Sequence, residues 1–212
     1  MFITFEGIEG SGKSTLLYNV AAAMRRSGLD PLMTREPGGT SLGVALRKVL
    51  LDPDMEKIGP IAELMLFAAD RAQHVSEVIQ PALETGQIVL CDRFSDATVA
   101  YQGYGRGIPL DVITSVDEQA RSFMVPDMTV LLDLPVETGL GRARTRNDEL
   151  LNAAESRIDE EEAAFHQRVR DGYLTLASDE PHRFLILDAR EKQERLSELA
   201  MEEFRMRFPD AF

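Results

Sequence analysis

Apolar residues fall into two rhythms along this chain. Short, nearly unbroken apolar runs occur at Phe2-Ile3-Thr4-Phe5, Ile88-Val89-Leu90-Cys91, Met128 to Leu134 and Phe184 to Leu187, and a more broken one spans Leu29 to Thr34. Their shortness predicts five strands, and the apolar runs at 88–91 and 128–134 read as buried ones. Between them the apolar positions recur every three or four residues. That spacing predicts helices over 13–27, over a short stretch carrying Leu42, Ala45, Leu46 and Val49, over 60–84, and over most of 94–125. Further helices are predicted from Pro135 toward Arg146, over 157–177 and over 191–207. Leu64, Phe67, Ala68, Arg71, Val75 and Val78 share one stripe, and Phe165, Val169, Tyr173 and Leu176 share another. Gly28 and Asp52-Pro53 are the expected helix stops, Arg35 to Thr40 reads as a loop, and Gly103 to Gly107 interrupts the fourth helical region. Strands alternating with helices predict an α/β fold, a five-stranded parallel sheet with helices on both faces. No repeat or linker divides residues 1–212. The polar, acidic stretch Asn147 to Glu155 has no period and is expected to be a mobile loop. Ligands of such a sheet gather beyond the strands' carboxyl ends, where Gly7, Arg35, Asp92 and Asp133 lie.

The loop after the first strand carries specific chemistry. Gly7-Ile8-Glu9-Gly10-Ser11-Gly12-Lys13-Ser14, followed by Thr15, has the spacing G-x-x-x-x-G-K-S between a strand and a helix. Glycines allow backbone N–H groups to turn inward, and the helix N-terminus adds partial positive charge. Lys13 is placed to reach the β- and γ-phosphates of a nucleoside triphosphate, and the Ser14 hydroxyl to hold Mg²⁺. Lys13 cannot alone offset the charge that develops on a transferred phosphoryl, and the loop contains no arginine. Glu9 is the anomaly, because a carboxylate in a phosphate loop repels its ligand unless a cation or donor compensates.

Composition narrows the partners. The 212 residues carry a formal net charge of −13, which argues against a nucleic-acid backbone or an anionic membrane surface as partner. One cysteine excludes an intrachain disulfide and fits a reducing compartment. With no basic leader and no long apolar run, a cytoplasmic enzyme is expected. No N-K-x-D motif is present, which weighs against a GTPase switch. Apolar strands end in acid at both Asp92 and Asp133, and either could orient Mg²⁺-bound water. Three histidines show no triad or ligand spacing, Cys91 reads as a core residue, and Glu160-Glu161-Glu162 reads as a solvated first helical turn.

Five segments in order carry a family resemblance: Phe5 to Ser14, Thr34-Arg35-Glu36-Pro37-Gly38-Gly39-Thr40, Asp92-Arg93-Phe94 with Ala100-Tyr101-Gln102-Gly103, Leu132-Asp133 with Gly139-Leu140 and Arg142, and Ser156-Arg157-Ile158-Asp159. Together they resemble the bacterial thymidylate kinase (dTMP kinase) family. The resemblance implies a P-loop NTPase fold with a short lid near 143–158, transfer of the ATP γ-phosphoryl to dTMP, an Mg²⁺ requirement and a homodimer. It implies acceptor binding by Arg35, Glu36, Pro37 and Arg93, and base and sugar contacts by Phe67, Arg71, Thr98, Tyr101 and Gln102. Phe67 and Arg71, one helical turn apart, would stack on the base and hydrogen-bond its edge. Glu9 would meet the sugar hydroxyl, an arginine or Mg²⁺-bound water, with Asp92 beside the metal. Arg142 resembles the arginine against adenine. The charge that the P-loop lacks would come from the lid, from at most two of Arg142, Arg144 and Arg146, which precede it, or from Arg157, which closes it, with Arg146 and Arg157 the catalytic candidates. The chain departs from many members at Ala97, where they carry serine. Asp159 fits either a lid acid or, with Ser156, a capping box. A kinase for another nucleoside monophosphate and a non-catalytic nucleotide switch are the competing readings.

Overall fold

The computed structural model describes residues 1–52, 58–145, 158 and 161–211, and the helical backbone of 146–150. Five parallel strands form one sheet in the order β2-β3-β1-β4-β5. They are β1 Phe2–Glu6, β2 Leu32–Arg35, β3 Val89–Asp92, β4 Met128–Asp133 and β5 Phe184–Asp188. β1 and β4 are buried almost throughout, as expected of central strands covered on both faces. The helices are α1 Lys13–Arg26, α2 Ser41–Leu51, α3 Pro60–His74, α4 Gln80–Glu84, α5 Ser95–Thr98, α6 Leu110–Ala120, α7 Val136–Leu150, α8 Ala163–Asp179 and α9 Gln193–Arg207. A π-helical segment, Val75–Ile79, joins α3 to α4 and makes 60–84 one continuous rod. A second, Val99–Gly105, continues α5. The main core packs Ile3, Phe5, Leu16, Val20 and Met24 against Leu90, Val130, Leu132, Tyr173 and Phe204.

Register places the chemistry. Phe5 pairs with Asp92 across β1 and β3, and Arg35 pairs with Asp92 across β2 and β3. Three strand ends from distant parts of the chain therefore meet at one edge, where strand order reverses beside β1. The loop after β1 sits tight against the start of α7. A Cβ on Gly10 would lie 2.1 Å from the Gly139 carbonyl oxygen, and one on Gly139 would lie 2.6 Å from that of Glu9. Glycine at both positions is what lets the phosphate loop rest on that helix.

Several expected boundaries shift for physical reasons. β2 begins at Leu32, because Leu29 closes α1 instead: Gly28 takes φ 86° and the Leu29 N–H donates to Met24 O at 3.1 Å. In α2 the expected apolar face is largely turned outward, with Leu42 and Val49 exposed and Gly43, Leu50 and Leu51 buried. Close approach to α3 decides this, since a Cβ on Gly43 would stand 2.3 Å from Asp70 Oδ1. Residues 147–150, expected in a loop, extend α7, where Asp, Glu and Leu are tolerated by a helix. α8 starts at Ala163, so Glu161 is no helical first turn and instead pairs with Arg106. Ser156, Arg157, Asp159 and Glu160 lie outside the described residues.

Candidate active site

A cleft of about 440 Å³ opens at the carboxyl edge of the sheet. The phosphate loop and α1 line one end with Gly10, Gly12, Lys13, Ser14 and Thr15. Phe67 and Arg71 from α3, with Ala97, Thr98 and Gln102, line the other, and Arg35, Glu36, Pro37, Asp92, Arg93 and Tyr101 lie between them. Arg142 and Ile158 close one side. Of the remaining expected loop residues, Gly7 and Ile8 sit behind Lys13 as hydrogen-bond acceptors, and Ser11 is buried beneath it.

Lys13 is buried, and its Nζ donates to Gly7 O at 3.0 Å and Ile8 O at 2.9 Å. Burial, and then the nearby Arg93 charge, lowers its ammonium to about 8. An anion entering the loop would favour the charged ammonium and offset both effects. The Ser14 hydroxyl donates to the Asp92 carboxylate. Asp133, the other candidate acid, is engaged elsewhere, accepting from Arg170 Nε at 2.7 Å and Nη2 at 2.9 Å. Of the two strand-end acids, geometry thus puts only Asp92 beside the P-loop serine.

Arg93 has a non-glycine φ of 69°, a conformation that turns its side chain back over the phosphate loop. Its Nη2 donates to Glu9 Oε1 at 2.8 Å and its Nη1 to Gly7 O at 3.1 Å. The Tyr101 hydroxyl donates to both Glu9 oxygens, at 2.7 and 2.8 Å, and its ring lies under the Arg93 guanidinium at 4.9 Å. Burial alone would raise the Glu9 carboxyl, but Arg93, with Lys13 and Tyr101 behind it, outweighs burial and holds Glu9 well below the usual range. Burial also pushes the Tyr101 hydroxyl up, so it remains a donor at neutral pH. The anomalous acid of the phosphate loop is therefore compensated on all sides.

Arg71 departs from the simple role its spacing suggests. It is fully buried, with Nε donating to Glu36 at 2.9 Å, Nη1 to Thr98 at 2.8 Å and Asp117 at 2.6 Å, and Nη2 to the Phe94 carbonyl at 3.0 Å. These bonds use four of its five N–H groups and leave one Nη2 hydrogen for a ligand. Glu36 also meets His74 Nδ1 at 2.9 Å, whose Nε2 lies 2.6 Å from the Thr34 hydroxyl. Gln102 donates to Glu63 at 2.9 Å. Arg35 is exposed at the cleft, Phe67 is half-buried there, and Arg142 is tied to Ala189 O at 3.0 Å. The side chains of Arg146 and Arg157 lie outside the described residues.

The fold also recruits groups that periodicity alone assigned to packing or passed over. Tyr173, expected only as a core residue, donates to Glu6 at 2.7 Å and receives Arg93 Nη1 at 3.3 Å. Burial, and then Asp96, pushes the Glu6 carboxyl up to about 7. His166, two turns before Tyr173 on α8, is fully buried with Nδ1 3.3 Å from Glu9 Oε2. The seven-residue spacing, which puts both on one helix face, was the available signal.

The chain is similar to thymidylate kinases over most of its length. A family model described as thymidylate kinase matches residues 5–200. A thymidylate kinase of Trichlorobacter lovleyi is 58% identical over 189 residues, covering 89% of each chain. One from Desulfovibrio desulfuricans is 54% identical over 195 residues, 92% of this chain and 90% of its own. The crystal structure of thymidylate kinase from Ehrlichia chaffeensis superposes with a TM-score of 0.75 at 32% identity, over 96% of this chain and 98% of that one.

Proposed function

This chain belongs to the thymidylate kinase family, and on that premise we propose how its residues carry out ATP-dependent phosphorylation of dTMP. The reaction transfers the γ-phosphoryl of ATP to dTMP, giving dTDP and ADP in nucleotide biosynthesis. A phosphate monoester has a second pKa of about 6, so the acceptor is already mostly dianionic and nucleophilic at neutral pH. Its oxygen forms a bond to the γ-phosphorus as the bond to the β–γ bridging oxygen breaks, and no general base is needed. The enzyme's work is to align two mutually repelling anions and neutralise the charge between them.

The observation that carries the assignment is the single cleft with a phosphate loop at one end, Phe67 and Arg71 at the other, and Arg35 and Arg93 between. Residues 7–15 hold the ATP phosphates, with Lys13 as the point charge and Arg142 toward the adenine. Arg35 and Arg93 take the acceptor phosphate, for which a guanidinium fork is suited. Glu36 and Pro37 shape that wall, Glu36 by anchoring Arg71. Phe67 stacks on thymine, while Arg71 and Thr98 address its edge and Gln102 its flank. Tyr101 lies where a ribose 2′-hydroxyl would enter and disfavours ribonucleotides. Glu9 aims Arg93 and Tyr101. Arg146 and Arg157 are the proposed source of the charge that the P-loop lacks, within a lid spanning about 143–158.

Ser14 and Asp92 present adjoining hard oxygen donors, a set that fits Mg²⁺ beside a triphosphate. When bound, the ion would neutralise charge across the β- and γ-phosphates. A homodimer is supported by Ile61 and Met65 on α3 and Leu110 on α6, apolar and 52%, 49% and 44% exposed on helices that pack together. Light scattering at the mass of one chain would refute it. No described helix is long and apolar enough to cross a membrane; a cytoplasmic location is proposed from the role in nucleotide biosynthesis. A coupled ADP-release assay over a panel of nucleoside monophosphates tests the acceptor assignment. Turnover of CMP or AMP equal to that of dTMP would overturn it.

A further inference from the structure

His166 is buried against the phosphate loop, and neither of its ring nitrogens makes a well-directed hydrogen bond among the described residues. Orphaned polar atoms in a dry interior are costly, and an apolar ring of the same size would avoid that cost. The ring is also held in place. It packs edge-on against Phe165, with centroids 5.4 Å apart, and Phe165 in turn packs edge-on against Tyr101 at 6.2 Å. This wall points Nδ1 at Glu9 Oε2 from 3.3 Å, close yet short of a formed hydrogen bond.

The other partners of Glu9 explain why a donor is kept in reserve. Among the described residues its ion pairs are with Arg93 and His166 alone. Arg93 Nη2 now spends its charge on Glu9 at 2.8 Å, although Arg93 also faces the cleft. A phosphate dianion carries more charge than a carboxylate and competes for the same guanidinium fork. Once Arg93 turns to it, Glu9, only 11% exposed at the cleft wall, is left with Tyr101 and no cation or nitrogen donor unless another moves in. Lys13 cannot serve, since its Nζ is committed to the loop carbonyls and is the group that meets the triphosphate.

We propose that His166 is a positioning residue for phosphoryl transfer: its Nδ1–H takes over the Glu9 carboxylate when the acceptor phosphate draws Arg93 away. Glu9 then stays in place and continues to orient Tyr101 while Arg93 is engaged. The neutral tautomer with its proton on Nδ1 suffices, because ionised Glu9 can only accept. The proposal rests on the reading of Arg93 as a ligand of the acceptor phosphate.

The test uses His166→Phe, which fills the space without a donor, and His166→Asn, whose amide nitrogen restores a donor near the Nδ1 position. Each is made in the full chain, alone and together with Glu9→Gln. Steady-state ADP release should show His166→Phe lowering kcat about tenfold or more, with the ATP KM moving less than about twofold. His166→Asn should recover most of that loss even if its melting temperature matches that of His166→Phe. In the Glu9→Gln background the His166→Phe effect should vanish. In ¹⁵N-histidine-labelled protein, the Nδ1 resonance should move on adding dTMP. Equal losses in both His166 variants, an effect that persists with Glu9→Gln, or an Nδ1 signal indifferent to saturating dTMP would each overturn the proposal. Calorimetry of dTMP with Arg93→Gln separates the two levels. Undiminished affinity overturns the phosphate reading of Arg93 and the proposal with it, whereas weakened affinity with an uncoupled cycle overturns the proposal alone.

Discussion

Replacing Arg71 by methionine keeps most of the side-chain volume and removes a buried cation that bridges two carboxylates. Arg71 reaches Glu36 at 2.9 Å and Asp117 at 2.6 Å, and all three side chains are almost fully buried. Breaking a buried ion pair from one side costs about 3–5 kcal/mol, because the remaining charges lose their partner. Here each carboxylate keeps a second donor: Glu36 retains His74 at 2.9 Å, and Asp117 retains Arg121 at 2.9 Å. The lower end of the range, about 3 kcal/mol, is therefore expected. In a chain of this size each kcal/mol moves the melting temperature by about 2–4 °C, so a fall of about 6–12 °C should follow. Arg71→Lys should recover only part of it, since a point charge on a shorter stem cannot serve four acceptors spread around a guanidinium. Differential scanning fluorimetry and urea titration at pH 7 measure this directly. A fall smaller than about 2 °C would refute the argument, by showing that the network contributes little and that Arg71 is held for the ligand alone.

Three further outcomes are expected. Lys13→Met should abolish turnover while leaving dTMP binding by calorimetry largely intact, and loss of both would break the division into donor and acceptor ends. The Lys13 ammonium is lowered to about 8 in the ligand-free cleft, so triphosphate binding above that pH requires proton uptake. The KM for ATP should accordingly climb by about tenfold per unit above pH 8, and a flat profile from pH 7 to 9.5 would contradict it. Asp70 is buried with Oδ2 unpartnered among the described residues, and burial, then Glu36, pushes its carboxyl up from 3.8 to about 6. The folded state thus holds this proton more tightly than the unfolded one. Stability from this group is full below pH 4 and is lost as pH rises from there through about 6, by about 3 kcal/mol. Asp70→Asn should remove that slope, so its melting temperature relative to the parent should rise between pH 4 and pH 7.

Much of the architecture is legible in the chain because its signals are local. Five apolar runs, a glycine-rich loop with Lys13 and Ser14, and helical stripes need only neighbours within a turn or a strand. The errors arose where a distant element intervened. Gly43 is an unremarkable helix glycine until Asp70 comes within reach of it and rolls α2 the other way. Phe67 and Arg71 do share a helix face, yet spacing says nothing of Asp117, on a helix that begins more than a sheet strand later. His166 and Tyr173 were hidden inside an apolar stripe, since burial and aromaticity look the same in sequence whether or not a ring nitrogen or hydroxyl faces a carboxylate.

By itself the sequence determined the parallel α/β layout, the phosphate loop and the set of arginines available to it. Only the tertiary structure decided which acid stands beside Ser14. Asp92 and Asp133 both end apolar strands, and nothing local separates them. Asp92 pairs in register with Phe5 and Arg35 at the loop, while Asp133, on the strand that flanks β1 from the other side, pairs with Asp188 and is taken by Arg170. The same holds for Glu9. Its neighbours in the chain make it a repulsive charge in an anion site, and its neighbours in space, Arg93, Tyr101 and His166, make it a fixed support. Charge acts through distance in the folded state, across gaps of many residues, and periodicity along the chain does not encode that distance.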